Sequence, residues 1–519
     1  MTARHSDRRA PAAFVPRRGV LERDSGGVLL PGVARRRFLQ QAGLGVAASG
    51  LLGLRWAPKA LGAAPASPAP TAGPLRVHSQ NRNYFADARG RPVYLTGAHT
   101  WNNLSDVGPG DPPAAFDFAQ YLDFLERHHH NFIRLWRWET TRWDAGATPE
   151  YTTGKDVFAV APHPWKRTGP GTALDGGPKF DLDQFDPAYF ERLRQRVRAA
   201  QARGIYVGIM LFEGWALQHL RGAWPAHPFH PSNNIQGLDG DAGGDGRGLL
   251  THTLKVPAVT RRQEAYVRQV IGTVNELDNV LYEISNECGT YALEWQYHFI
   301  RFIRACEQSQ AQQHPIGITF LYSRDGQQRG TNAQLFDSPA DWISPNPDAP
   351  GGYNYRTNPP PADGRKVILS DTDHLWGIGG NPDWVWKSFL RGHNPLFMDP
   401  YDNRVLGKAS ADSWDPVRES LGHTRRLAAR LDLAALTPHE TLASTRFCLA
   451  DAGREYVAYL PEGGEVELDL SAAPASLTVE WIEPLTGESR VGEAVVGGSA
   501  RRLRAPFTGP AVVWVRGQA

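Results

Sequence analysis

Eight short apolar runs, helical periodicity between them and alternating apolar and polar residues near the C-terminus predict an α/β protein: a (β/α)8 TIM barrel followed by an antiparallel β-sandwich. The runs fall at Val93–Thr96, Phe132–Trp136, Tyr206–Phe212, Val280–Ile284, Ile316–Phe320, Trp342–Ser344, Val367–Ser370 and Pro395–Met398. Each is brief and continuous, as expected of strands buried on both faces of a parallel sheet. Apolar residues recur at three- and four-residue steps over 116–129, 187–203, 261–277 and 293–308, which predicts amphipathic helices. Asp186 and Pro187 supply a cap and a first-turn proline for one of them, and Gly204 a terminating glycine. An open doubly wound sheet would call for a glycine-rich phosphate loop after its first strand, and Gly97-Ala98-His99-Thr100-Trp101 is not one.

The chain has 519 residues, long enough for a large core and an accessory module. Residues 1–74 are expected to be a twin-arginine-type signal and linker, 75–435 the barrel and 436–519 the sandwich. Arg35, Arg36 and Arg37 precede a Gly/Ala/Leu stretch, and Ala64-Pro65-Ala66 resembles a cleavage site. That stretch is shorter than the ~20 residues that cross a bilayer, so periplasmic or extracellular export without stable membrane insertion is expected. A net charge of +2 with no basic stripe argues against nucleic acid as a partner. Three cysteines without metal-type spacing suggest neither a disulfide framework nor a metal cofactor. His128-His129-His130 reads as a solvated run on the non-catalytic side of the barrel, and 237–248 as a mobile loop rather than a calcium site.

Chemistry in such a barrel gathers at the C-terminal ends of the strands. The polar and aromatic residues placed there are His99 and Trp101 after the first strand, Arg134 and Trp136 on the second, and Glu213 and Trp215 at the third. Asn286 and Glu287 end the fourth, Tyr353 follows the sixth, and Asp371, Asp373, His374 and Trp376 close the seventh. Carboxylates at strands four and seven suit glycoside cleavage, which needs a protonated acid and an ionised carboxylate on either side of the scissile bond. Glu287 is the expected acid. Asp371, which directly ends the apolar run, is expected to point into the cup, with Asp373 as the competing carboxylate. Arg134 stands inside an apolar run and should be paired, because burying a lone charge is costly. Trp101, Trp136, Trp215 and Trp376 are candidate sugar platforms. Glu213 reads as an ion-pair or substrate-contact residue, and His374 as a group that orients a carboxylate.

The strings Asn131-Phe132-Ile133-Arg134-Leu135, Ile284-Ser285-Asn286-Glu287 and Val367-Ile368-Leu369-Ser370-Asp371 resemble the retaining (β/α)8 glycoside hydrolases of the cellulase-type clan, over about 76–403. Pro92-Val93-Tyr94-Leu95-Thr96-Gly97 with Trp101, and the ending Ala505-Pro506-Phe507-Thr508-Gly509, resemble the apiosidase-like group. The resemblance implies a glycosidase in which Glu287 is acid/base, Asn286 contacts a sugar hydroxyl, Arg134 orients the nucleophile, and Asp371 or Asp373 attacks. The clan has Glu where this chain has Asp371. Two other readings remain at this point: a carbohydrate-binding barrel without chemistry, and a metal-dependent hydrolase built on His99, Asp371, Asp373 and His374.

Overall fold

The computed structural model describes residues 71–152, 154–407, 413–473 and 476–517. The arginine motif and its cleavage site lie outside them. Eight parallel strands form one sheet, with Gly97–His99 at one end, followed by Asn394–Met398, Val367–Asp371, Trp342–Ser344, Ile316–Thr319, Val280–Asn286, Tyr206–Glu213 and Phe132–Leu135. The two end strands meet where the amides of Asn131 and Phe132 donate to the carbonyl of Thr96, which brings the sheet round into a barrel. Helices Phe118–Arg127, Pro187–Gln201, Pro257–Val274 and Leu293–Glu307 alternate with the strands. Asp186 accepts from the amide of Ala188, and Gly204 takes the left-handed conformation that ends its helix.

The first strand starts later than the apolar run suggests, at Gly97 rather than Val93. The cause is local. Asn131 accepts from the amide of Thr96 and donates to the carbonyl of Tyr94, and Asn394 accepts from the amide of Leu95. Side-chain amides therefore replace a strand neighbour over this segment. At Gly97 the neighbouring backbone comes so close that a Cβ would lie 2.2 Å from the carbonyl oxygen of Phe132.

The connections after strands one and two carry structure of their own. Arg142–Asp144 and Asp106–Gly108 flank Val157–Ala161 in a small antiparallel sheet, and Trp165–Thr172 pairs with Pro178–Phe185. In the 237–248 segment, Asp241 accepts from the amides of Gly246 and Leu250. The histidine run divides: His130 is buried, with Nε2 3.0 Å from the carbonyl of Arg418, so it is a packing residue rather than a solvated one.

Antiparallel strands follow the barrel. Glu455–Leu460 pairs with both Cys448–Asp451 and Ala511–Gly517, and the last pairs with Ser476–Ile482. Alternation along these strands serves two cores. Tyr456, Ala458 and Leu460 face the interior shared with Val466, Leu468 and Leu503 of a second, two-stranded sheet. Val457, Tyr459 and Trp514 pack instead on Trp386, Phe389 and Leu427 from the barrel's helices Pro382–Leu390 and Asp415–Ala428. Burial on both sides explains why residues 456–460 are continuously apolar.

Gly97→Ala tests the barrel seam: overpacking against backbone should cost about 1–3 kcal/mol, read as a lower urea midpoint at unchanged slope, whereas Gly272→Ala, which meets nothing within 4 Å, should not destabilise.

Candidate active site

The site is assembled around the buried guanidinium of Arg134 on the second strand. Its Nε and Nη2 donate to the two carboxylate oxygens of Glu283 at 2.7 Å each. Nη1 reaches Asp371 at 3.0 Å and Asp373 at 2.9 Å, and Nη2 also donates to Asn286 Oδ1 at 2.7 Å. Three strands and the segment after the seventh thus converge on one cation. Glu283 was not singled out from the sequence, although a carboxylate inside an otherwise apolar strand is the signal that Arg134 itself gave.

Asp371 ends the seventh strand, but its carboxylate is held in the floor. It lies 2.8 Å from His99 Nε2, accepts from Arg134, and caps the short helix Thr372–Leu375 by accepting from the amide of Asp373. Burial alone would raise its pKa, yet His99 and Arg134 outweigh burial and hold it well below the usual carboxylate range. Asp371 is fully buried and does not line the cavity above it. Asp373, two residues on, does. The expectation that Asp371 points into the cup is therefore corrected: capping the helix turns Asp371 inward and leaves Asp373 at the surface of the cup. Burial raises the Asp373 carboxyl to about 6 against the pull of Arg134, with Asp371 adding to the rise.

Glu287 follows the fourth strand in the left-handed region, at φ 48°, a conformation that side-chain-bearing residues seldom adopt. The geometry carries its carboxyl into the same cavity as Asp373. Burial, and then repulsion by Asp373, push its pKa well above the ordinary value despite Arg134. Asn286 accepts from Arg134 and lies 3.0 Å from His374 Nε2, while His374 Nδ1 is 2.7 Å from the hydroxyl of Ser344. Burial and Arg134 keep His374 neutral, so Nε2 donates to Asn286 and Nδ1 accepts from Ser344. With its oxygen occupied twice, Asn286 keeps its NH2 group for a ligand.

The cavity has a volume of about 200 Å³. Of the residues expected from sequence, Trp101, Trp136, Trp215, Asn286, Glu287, Asp373, His374 and Trp376 line it, and Arg134, His99 and Asp371 stand beneath. Trp101 is central to the aromatic wall, with ring centroids 5.3 Å from Trp215 and 5.7 Å from Trp136. Two expected residues are elsewhere. Glu213 is sealed behind the wall, accepting from the amide of Ala216, and burial raises it to about 8. The loop after strand six carries Tyr353 away to the C-terminal region, where its hydroxyl donates to Glu440 at 2.5 Å. Tyr151, Phe320, Tyr322, Arg329 and Arg356 also line the cavity and were missed. Phe320 directly follows the fifth strand, and the other four lie in connections whose course depends on tertiary packing. The proposed metal quartet does not form a cation site: His99 and Asp371 bond to each other, Arg134 sits between Asp371 and Asp373, and among the described residues no group of three or more His, Cys, Asp or Glu is arranged to hold a metal.

Fold and site together define a (β/α)8 barrel with a carboxylate-bearing cup and an appended antiparallel module. Three solved structures are similar to it over 86% of the chain: a glycoside hydrolase at 13% identity and TM-score 0.53, covered to 97%; a family 5 glycoside hydrolase from Bacteroides vulgatus at 12% and 0.56, covered to 93%; and a putative glycoside hydrolase from the same organism at 13% and 0.54, covered to 82%. At this identity the likeness shows the fold. Residues 153–329 match the family model described as a domain of unknown function, DUF6298. No curated protein matches the chain.

Removing the central cation should be severe. Arg134→Met leaves Glu283, Asp371 and Asp373 buried without their partner and should cost about 3–5 kcal/mol at pH 7 by urea unfolding. The deficit should shrink as pH falls: Asp371, held down in the native protein, is stabilising only above its unfolded pKa, and without Arg134 the carboxylates take up protons in the folded state.

Proposed function

We propose that this protein is an exported glycoside hydrolase that cleaves O-glycosidic bonds of an oligosaccharide or polysaccharide by a retaining double displacement. The observation that carries the reading is the pairing, in one aromatic-walled cavity, of a carboxyl held protonated, Glu287, with a carboxyl that ionises near neutrality, Asp373. Two titrating groups with their pKa values pushed apart are what acid and nucleophile roles require. The structural neighbours whose printed names are glycoside hydrolases support the class, and the sequence resemblance supports retention.

In the first step Glu287 gives its proton to the glycosidic oxygen as the bond to the anomeric carbon breaks, and an Asp373 oxygen bonds to that carbon. The alcohol leaves and Glu287 becomes a carboxylate. In the second step Glu287 takes a proton from water, whose oxygen attacks the anomeric carbon and displaces Asp373. Arg134 orients Asp373 and favours its ionised form. Asp371 positions Arg134 and His99 and touches no reacting atom. Asn286 offers its NH2 to a sugar hydroxyl, and Trp376, the least buried of the four tryptophans, offers a stacking face. The export assignment rests on the arginine motif near the N-terminus.

An aryl-glycoside panel tests this. Glu287→Gln and Asp373→Asn should each lower kcat/KM on any hydrolysed member by about 10²–10⁴-fold or more, and full activity in either removes that residue from its role. The pH profile should be bell-shaped. Activity rises as pH climbs through about 6 and Asp373 ionises, then falls when Glu287 loses its proton. An acid limb that moves to lower pH in Asp371→Asn, which removes a repelling charge, and is displaced in Arg134→Lys would agree with Asp373 as the titrating group.

A further inference from the structure

The cavity wall carries two guanidinium groups that the chemistry above does not use, Arg329 and Arg356. Arg329 lies 5.2 Å from the ring centre of Phe320, and Arg356 5.7 Å from that of Trp376; both rings line the same cavity. Such contacts hold the flat cations against the wall while leaving their N–H edges available. Their countercharge is thin. Arg329 lies 3.7 Å from Asp348, whose side chain is 78% exposed, and among the described residues Arg356 makes no ion pair with any carboxylate. Burial lowers the Arg356 pKa, with Asp348 opposing and Arg329 adding to the fall, so the two cations stand close enough to repel.

A neutral sugar would leave Arg356 as it is, whereas a carboxylate or sulfate oxygen pair would form charge-assisted, bidentate bonds with it. The opposing factor is Asp373, which repels an anion when ionised. Arg134 donates to that carboxylate at 2.9 Å and Glu287 holds its proton, and Arg329 and Arg356 are the charged groups of the wall that an anionic substituent would meet. At about 200 Å³ the cavity is smaller than the roughly 300–1,000 Å³ of drug-sized ligand sites and suits a single ring rather than a chain.

We propose that the cavity receives a sugar unit bearing an anionic substituent, a uronate carboxylate or a sulfate ester, with Arg356 as the recognition residue and Arg329 beside it. Cleavage of such a unit rests on the glycosidase reading; its binding does not.

Calorimetric titration of the full chain with glucuronate, galacturonate and glucose 6-sulfate, each against glucose or galactose, separates the two. At least one acidic sugar should bind ten times or more tighter than its neutral counterpart, and whether a uronate or the sulfate does so identifies the source of the charge. In Arg356→Gln that preference should fall at least fivefold, and Arg356→Lys should recover part of it. Equal affinity within every pair, no binding of any acidic sugar, or an unchanged preference in Arg356→Gln would overturn the proposal. Acid-selective binding by a protein that hydrolyses no aryl glycoside, acidic or neutral, would support it while defeating the glycosidase reading.

Discussion

A single buried cation organises this protein's cup. Arg134 is nearly inaccessible to water, and every hydrogen bond it makes at the site goes to a group on a different structural segment: Glu283 and Asn286 on strand four, Asp371 at the end of strand seven, Asp373 just beyond. Placing a guanidinium in such surroundings is unfavourable unless its donors are met, and the fork geometry of arginine meets several carboxylates at once. The positions of strands two, four and seven are therefore coupled through this one side chain. Lysine, a point charge on a flexible stem, would not fix the three carboxylates and the amide in register.

The same shortage of positive charge sets the protonation pattern. Five carboxyls, from Glu213, Glu283, Glu287, Asp371 and Asp373, gather near Arg134, which among the described residues is the one arginine bonded to any of them, and it bonds to three. Two like charges ~5 Å apart repel by about 3 kcal/mol at an effective dielectric constant of ~20, which corresponds to about 2 pKa units. Not every carboxyl can ionise. Those bonded directly to the cation keep their charge more readily, and Glu287, which has no cationic partner of its own, retains a proton. Glu287 and Asp373 differ in their contact with Arg134: Asp373 accepts from it at 2.9 Å, whereas Glu287, at φ 48°, does not.

Much of this was legible in the chain. The barrel follows from eight apolar runs, and the strand limits agree closely for Trp342–Ser344 and within one or two residues for most others. The convergence of Arg134, Asn286 and Glu287 was legible because Arg134 interrupts an apolar run and Asn286 and Glu287 follow one at a strand end. The choice between Asp371 and Asp373 was not, because period-two alternation applies to a strand and the chain turns into a helix immediately after Asp371. The late first strand escaped notice because Asn131 and Asn394 satisfy the preceding backbone from other strands. Arg329, Arg356 and Tyr353 sit on connections of no fixed period, so their sequence carries no sign of which way they face.

The most direct measurement is covalent trapping. A 2-deoxy-2-fluoro glycoside of a sugar the protein hydrolyses should stall the reaction after the first step, and mass spectrometry of the digested protein should find the sugar ester on Asp373. Attachment to Asp371, or release of product with inverted anomeric configuration and no adduct, would contradict the account.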